Sequence, residues 1–394
     1  MTSVTEGTTS MENEEALKFV NFHSSIHPSF WNELEDKKLN EWRLSTEPRV
    51  IHGTYQPAKL KDLPPTISVS SDAFNSKITS NNKVSVTVPG ILHLVNTVEE
   101  FKKLDKKAIL KKNAEEIIDS QCDGKRPTYS FVLLVHADVK KHKYIYWFGF
   151  PAWTYPDTEQ TTTVSATRTL SSDEKRQLSD LVEAKVSKTF LNHSILAPIY
   201  VLHENELWCF GDDNEKIKSM TSKTSWENYD TVLVFLDPSA SDKHPGWPLR
   251  VFLDIINKRY NFEVLKMKVL CVRGDIAGSN SGHGSGSVPT SIMLDLKLVD
   301  SRVARATGKA VLGWELNSRN RAIPRLADLG SSMDPSHLAM SSADLNVKLM
   351  RWRMLPNLNT DELSKLKCLL LGAGMYPYVY THSITVKTLT NSNF

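Results

Sequence analysis

Two strongly apolar runs separated by a short basic turn place the tightest constraint on the fold of this chain. The runs are Phe131–Ala137 and Tyr144–Phe150, and the turn between them is Lys140–Lys143. A parallel crossover needs a dozen or more residues, so a connection this short permits only an antiparallel pair. Elsewhere, segments typical of helices alternate with segments typical of strands. The sequence therefore predicts an α+β fold with a mixed sheet, not a regularly wound parallel sheet.

Two helix starts carry capping patterns. Thr97 and Glu100 form a capping box, in which each residue satisfies a backbone N–H of the first helical turn, and they predict one long helix to about Ser120. Ser171 and Glu174 predict a second helix in the same way. The lysines of the first helix favour a solvated face over a phosphate-binding patch, because acidic residues follow them and no aromatic residues are interleaved.

Two further helices follow from amphipathic spacing. The segment Phe30–Trp42 predicts a helix whose inward positions are Phe30, Trp31, Leu34, Leu39 and Trp42. Near the other end of the chain, Asp344 is the expected N-cap of a helix at Leu345–Trp352. That second helix is expected to pack Leu345, Leu349 and Trp352 on one side.

Charge and hydropathy exclude several classes of function. The 394 residues contain 48 Lys and Arg against 45 Asp and Glu, a formal charge of +3, which argues against a nucleic-acid partner. The most apolar stretches are far shorter than the roughly 20 residues that span a bilayer. The first residues lack the apolar core of a signal peptide. We therefore expect a cytoplasmic protein with no membrane span.

The cysteines give no sign of catalysis or metal binding. They form no C-x-x-C pair, and three of the four lie in apolar runs, where a thiol keeps its proton; they are Cys122, Cys209, Cys271 and Cys368. The glycine- and serine-rich stretch 274–289 is expected to be a flexible surface loop, because no Lys-Ser or Lys-Thr pair follows it. No catalytic residue and no metal ligand is predicted.

An apolar strand that enters a Gly-x-Gly turn is the one nucleotide-binding signal. The strand is Lys367–Leu371 and the turn is Gly372, Ala373 and Gly374. Such glycines let the backbone approach a phosphate at the start of the next helix. The third glycine of the pattern is replaced by Pro377, and the remaining residues lack an amphipathic helix pattern. We expect only the opening of a Rossmann-like domain here.

Four segments resemble the autophagy-related protein seven family, which comprises ubiquitin-like-modifier activating enzymes. They are HPGWPLRVFLD at His244–Asp254, KAVLGWEL at Lys309–Leu316, the long run Met333–Leu363 with KCLLLGAG after it, and the early segment Leu17–Leu44. The resemblance extends from about residue 16 to the Gly-x-Gly turn.

This resemblance implies a domain organisation. The chain is expected to contain a disordered start at 1–15, an α+β N-terminal domain that recruits conjugating enzymes at 16–325, a linker at 326–343, the truncated start of an α/β adenylation domain at 344–374, and a divergent tail at 375–394.

The resemblance also implies a chemistry. Enzymes of this family use ATP and Mg²⁺ to adenylate ubiquitin-like autophagy modifiers, capture them as a cysteine thioester, and pass them to conjugating enzymes at the site of autophagosome assembly. The chain is expected to keep the docking domain for autophagy conjugating enzymes and to lack the thioester cysteine, most of the ATP site and most of the dimerisation surface. Whether it is an enzyme by itself is left open, and we expect it to bind no cofactor.

Six residues are singled out. Gly372, Ala373, Gly374 and Arg353 are the expected remnant of the nucleotide site. The family's Phe-Ala-Pro motif reads Phe19-Val20-Asn21 here, which leaves Phe19 as a partner-binding candidate. Trp247, flanked by glycine and proline, is either an aromatic anchor for the partner or a core plug.

Two alternative functions are considered. The first is a non-catalytic decoy that sequesters the conjugating enzyme, which the sequence cannot distinguish from a docking domain. The second is a dinucleotide-dependent oxidoreductase, which would need a complete βαβ unit with an acidic residue about 20 positions beyond the strand. The sequence disfavours the second.

Overall fold

A computed structural model describes most of the chain. The described residues are 15–58, 63–75, 86–122, 130–153, 162–192, 199–209, 220–260, 264–274, 289–299 and 311–359, together with Glu362 and Lys365. The chain divides into two compact units. The first comprises Met1–His136 and Tyr146–Arg325, and the second comprises Ala137–Ile145 and Leu326–Phe394.

The strands and helices alternate along the chain as the sequence indicates. The strands are β1 Glu15–Ala16, β2 His23–Ile26, β3 Arg49–Gln56, β4 Thr66–Val69, β5 Val86–Val95, β6 Phe131–Asp138, β7 Lys143–Trp153, β8 Thr163–Thr169, β9 Ile199–His203, β10 Glu206–Cys209, β11 Thr231–Leu236, β12 Val264–Val272, β13 Ile292–Val299, β14 Val311–Trp314 and β15 Arg325–Asp328. The helices are α1 Pro28–Lys37, α2 Val98–Lys103, α3 Lys106–Cys122, α4 Ser172–Asn192, α5 Lys223–Glu227, α6 Pro248–Tyr260, α7 Gly330–Met333 and α8 Pro335–Arg353.

Two sheets organise these strands, and both are mixed. One has the order β1-β8-β13-β12-β11-β9-β10, and the other has the order β14-β7-β6-β5-β3-β4-β2 with β15 paired to β7. In the first sheet only β11 and β12 pair in parallel among the pairings described. In the second, β5 pairs in parallel with β6, and β2 with β4. The predicted α+β fold with a mixed sheet is confirmed.

Aromatic side chains fill the core beside the second sheet. Phe131 stacks on Phe148 with ring centroids 5.0 Å apart, and Phe22 meets Phe150 edge-on at 5.4 Å. Gly90 on β5 makes room for Phe131, since a Cβ at that position would lie 2.3 Å from the ring. The close packing of β5 beside β6 therefore depends on the identity of these two residues.

The helix predicted at Phe30–Trp42 is partly wrong. Regular helix ends at Lys37, and Lys38–Trp42 forms a π-helical turn. The wider turn changes which side chains face inward, so Leu39 is 56% exposed while Lys38 is buried and donates to Asn96 Oδ1 at 2.8 Å. The inward positions Phe30, Trp31 and Leu34 are confirmed.

The capping box at Thr97 and Glu100 is confirmed, but the long helix is two helices. The break falls at Leu104, whose ψ of 131° lies outside the helical region. Asp105 then starts the next helix, because its Oδ1 accepts the N–H groups of Lys107 and Ala108, both at 3.0 Å. An aspartate cap inside an otherwise helical pattern is what the prediction overlooked.

The second unit contains α7 and α8, and the helix start predicted at Asp344 is wrong. Helix α8 runs without a break through that position. Leu345 is 56% exposed and Trp352 is 73% exposed, so the expected packing of this face is not present in the described residues. In the same unit Lys143 forms an ion pair with Asp328 at 3.0 Å. The domain boundaries proposed from the sequence stay predictions.

Candidate functional site

A loop at residues 237–248, which we call the 237–248 loop, leads from β11 into α6. Its first residue, Asp237, follows the last residue of β11, and Arg273 follows the last residue of β12. Leu236 and Val272 are register partners in these parallel strands. Because parallel strands end at the same edge of a sheet, Asp237 and Arg273 meet there.

Asp237 and Arg273 form an ion pair that is almost completely buried. Asp237 Oδ2 accepts from Nε and Nη2 of Arg273 at 3.0 and 2.9 Å. Asp237 Oδ1 accepts the backbone N–H groups of Ser239 and Gly246, both at 2.9 Å. Burial raises the pKa of the Asp237 carboxyl, and the four donors oppose that shift. One carboxylate therefore holds both ends of the loop.

The other N–H groups of Arg273 bind backbone carbonyls around it. Nη1 donates to Ser241 O at 2.6 Å and Thr290 O at 3.1 Å, and Nη2 donates to His244 O at 3.2 Å. A guanidinium presents five donors in a rigid fork, which suits it to bridging several carbonyls at once. The path of the 237–248 loop is fixed from inside the protein.

The N-terminal segment lies along this loop. Val20 N–H donates to Pro245 O at 2.8 Å, and Trp247 N–H donates to Val20 O at 3.1 Å. These bonds bring Phe19 and Trp247 to the same guanidinium, since Arg250 Cζ lies 5.6 Å from the centroid of the Phe19 ring and 5.2 Å from that of Trp247. The structure thus unites the two residues that the sequence proposed for partner binding.

Trp247 is a core residue. It is 7% exposed, its indole N–H donates to Phe150 O at 3.0 Å, and its ring meets Phe22 edge-on at 6.0 Å. Of the two alternatives that the sequence left open, the structure favours the core plug. Phe19 is half-buried and remains accessible at the surface.

Arg250 is the residue at this site that the sequence reasoning missed. Its Nε donates to Trp153 O at 3.0 Å, and burial lowers its pKa to about 10. Within the part of the chain that the structure describes, this carbonyl is its only hydrogen-bond acceptor, and no carboxylate pairs with it. A charged residue in the apolar run HPGWPLRVFLD was the signal that could have marked it.

Glu315 is a second missed residue. Its carboxylate is 3% exposed, accepts Ser24 N–H at 2.8 Å, and pairs with Arg325 at 2.8 Å. The Ser24 hydroxyl also donates to it. This cluster ties the segment that contains β14 to the start of the chain.

The predicted nucleotide-binding residues are not assembled in the described structure. Gly372, Ala373 and Gly374 lie outside the described residues. Arg353 is the last residue of α8, is exposed, and lies over the ring of its neighbour Trp352 at 5.4 Å. One exposed arginine does not make a nucleotide site.

Neither a reactive cysteine nor a metal site is found among the described residues. Cys271 is buried, and burial together with Asp237 raises the pKa of its thiol well above the ordinary value, which disfavours the nucleophilic thiolate. The side chains of Cys122, Cys209 and Cys368 are outside the described set. In the described ranges no group of His, Cys, Asp or Glu is placed to hold a metal ion. The helices described also include none that is long and apolar enough for a bilayer.

Two mixed sheets, with a buried ion pair that fixes a surface loop, define this protein as an α+β protein. No catalytic centre is found among the residues that the structure describes. The family model "Ubiquitin-like modifier-activating enzyme ATG7 N-terminus" matches residues 17–333. The chain belongs to the ATG7 family. The resemblance found in the sequence is thereby confirmed.

Curated relatives and solved structures agree with this family. The chain is 34% identical over 369 residues to the ubiquitin-like modifier-activating enzyme ATG7 of Rattus norvegicus and 33% identical over 367 residues to that of Homo sapiens, covering 91% of this chain and 50% of each relative. It spans about half the length of these relatives. The solved Kluyveromyces marxianus Atg7NTD–Atg10 complex has a similar fold, with a TM-score of 0.55 and 20% identity over 81% of this chain and 99% of that chain.

Proposed function

We propose that this chain is a docking domain that binds an autophagy conjugating enzyme. The observation that carries the proposal is the family match over residues 17–333. This range includes both parts of the candidate site, the N-terminal segment and the 237–248 loop. A solved relative of this fold is in complex with Atg10. We therefore take an Atg10-type conjugating enzyme as the partner to test.

The docking surface that we propose is the half-buried ring of Phe19 with the adjoining edge of Arg250. Aromatic residues and arginine are enriched among the residues that dominate binding at protein interfaces. Here the backbone of both segments is held by internal hydrogen bonds, so little ordering is needed when a partner binds. Trp247 supports this surface from below and does not contact the partner.

Calorimetric titration of an Atg10-type enzyme from the same organism into the purified chain tests the function. We expect saturable binding, weakened at least about tenfold by Phe19→Ala, because removing an interface hot spot costs about 2 kcal/mol. Leu39→Ala is the matched control, since Leu39 is an apolar side chain exposed elsewhere. Absence of saturable binding would contradict the proposed function. A loss caused only by Leu39→Ala would place the docking surface elsewhere.

The 394-residue chain is further proposed to dock without charging a modifier. The support is Pro377, which replaces the third glycine expected of a phosphate-binding turn. We expect no reductant-sensitive adduct with a ubiquitin-like autophagy modifier on gels in the presence of ATP and Mg²⁺, and no tight uptake of ATP by calorimetry. Such an adduct would contradict this part of the proposal. If it is absent, reduced modifier lipidation on co-expression with an active ATG7 would support the decoy alternative.

A further inference from the structure

Arg250 is a desolvated cation whose described contacts include no carboxylate. It is half-buried, and its pKa is lowered to about 10 because burial removes water from the charged group. Taking a cation out of water is unfavourable unless an anion compensates it. In the described part of the chain the compensation consists of one carbonyl, Trp153 O, and two aromatic rings.

The position of Arg250 in the fold adds to this imbalance. It lies in the first turn of α6, where the helix dipole is positive and favours an anion over a cation. The nearby groups Lys18 and Lys243 act on His244 as positive charges, and Glu15 acts as a negative one. An exposed carboxylate, Asp242, also lies on the 237–248 loop. Glu15 does not pair with Arg250 among the described contacts.

We propose that Arg250 is the receptor for one Asp or Glu side chain of the protein that docks at Phe19. Nε is engaged by Trp153 O, and within the described residues neither Nη group has a hydrogen-bond acceptor, so both can bind an incoming one. Two parallel N–H groups match the two oxygens of a carboxylate. The neighbouring Phe19 ring provides an apolar contact for the chain that carries the carboxylate, which favours a protein side chain over a free inorganic anion. This inference rests on the proposed function.

Replacing Arg250 should weaken the binding of the partner without lowering the stability of the chain. Arg250→Met keeps an unbranched side chain against the Phe19 and Trp247 rings and removes the desolvated charge. We therefore expect its midpoint of thermal unfolding to equal or exceed that of the unmodified chain. We also expect its Kd for the conjugating enzyme to rise about 10- to 100-fold, the range typical for loss of a hydrogen bond to a charged group.

Calorimetric titrations of an Atg10-type enzyme at 50 and 200 mM NaCl test the proposal. Binding by the unmodified chain should weaken as the salt concentration rises, and binding by Arg250→Met should depend less on salt. The matched control is Lys268→Met, which removes a cation that lies over another aromatic ring, that of Tyr229 at 4.0 Å. The control should bind like the unmodified chain.

Neutralising the acidic residues of the conjugating enzyme one at a time identifies the carboxylate. One Asp→Asn or Glu→Gln variant should bind the unmodified chain as weakly as Arg250→Met binds the unmodified enzyme. That variant should lose little further affinity when both changes are combined, which is the signature of a direct pair.

Three results would overturn the inference. If the unmodified chain binds saturably and Arg250→Met binds equally well, the receptor role is wrong while the proposed function stands. If the unmodified chain does not bind, both fail together. Asp157 and Glu159 follow Trp153 in the sequence and lie outside the described residues. If Asp157→Asn with Glu159→Gln lowers the unfolding midpoint, and Arg250→Met in that background no longer changes the Kd, the anion belongs to this chain and the proposal is wrong.

Discussion

Asp237 and Arg273 stand 36 positions apart in the sequence and meet in a two-point ion pair, with N–O distances of 3.0 and 2.9 Å. Each follows the last residue of one of two neighbouring parallel strands. Because both residues also bind the backbone of the 237–248 loop, the pair fixes the path of this loop at the edge of the sheet. Since that loop carries Trp247 and leads to Arg250, the ion pair also positions the proposed docking surface.

Breaking this ion pair should destabilise the chain strongly. Asp237→Asn leaves the guanidinium of Arg273 buried without its counter-charge, and we expect a loss of about 3–5 kcal/mol in the free energy of unfolding. Urea unfolding followed by circular dichroism measures this loss. Equal stability of Asp237→Asn and the unmodified chain would show that the pair contributes nothing.

Trp247→Phe should lower stability and leave partner binding unchanged. The substitution removes the hydrogen bond from the indole N–H to Phe150 O, at a cost of about 1–3 kcal/mol, while an aromatic ring stays beside Arg250. Thermal unfolding and calorimetric titration of the conjugating enzyme, carried out on the same preparation, separate the two effects. A weaker Kd without loss of stability would instead make Trp247 a partner anchor.

Glu315→Gln should loosen the segment that contains β14. The carboxylate loses its charge toward Arg325, and an amide cannot accept with both of its end groups. We expect a loss of about 2–4 kcal/mol and faster hydrogen exchange at Val311–Trp314. Glu227→Gln is the control, since its ion pair with Lys223 spans 3.9 Å between side chains that are 51% and 39% exposed. That control should change stability by less than about 0.5 kcal/mol. An equal effect of the two variants would show that the bonds of Glu315 to Ser24 and Arg325 do not hold this segment.

Local signals predicted much of the fold. The pairing of β6 with β7 followed from the short turn between them. Both capping boxes are present because their hydrogen bonds lie within four residues. The errors arose where two local patterns compete. A π-helical turn at Lys38–Trp42 and an N-cap at Asp105 each interrupt a hydrophobic period that by itself looks continuous.

The candidate site was harder to predict, because its contacts are not local. Phe19 and Trp247 could be selected as aromatic residues in motifs, but their common contact with Arg250 depends on backbone bonds between Val20 and the 237–248 loop. The partner of Asp237 could not be identified without the parallel register of β11 and β12. Side chains that meet across a sheet edge leave no spacing pattern in the sequence.

Glu174 should make part of the stability depend on pH in the acid range. Arg168 donates two hydrogen bonds to its carboxylate at 2.9 and 3.0 Å and Ser171 N–H donates one at 2.8 Å, which together lower the pKa of Glu174 from 4.5 to about 2. A carboxyl group whose pKa is lower in the folded state stabilises that state above the unfolded pKa, and this contribution is lost as the pH falls from about 4.5 to about 2. Both side chains are more than a third exposed, so we expect only about 1 kcal/mol.

Urea unfolding of the unmodified chain and of Glu174→Gln between pH 2 and pH 7 measures this contribution. The difference in the free energy of unfolding should be largest above pH 5 and should shrink as the pH falls toward 2. Glu115→Gln serves as the control, since its carboxylate reaches Lys111 only at 3.9 Å. If the two variants gave the same difference at every pH, the hydrogen bonds to Glu174 would contribute no more than an ordinary exposed ion pair, because only a lowered pKa produces a difference that varies in this range.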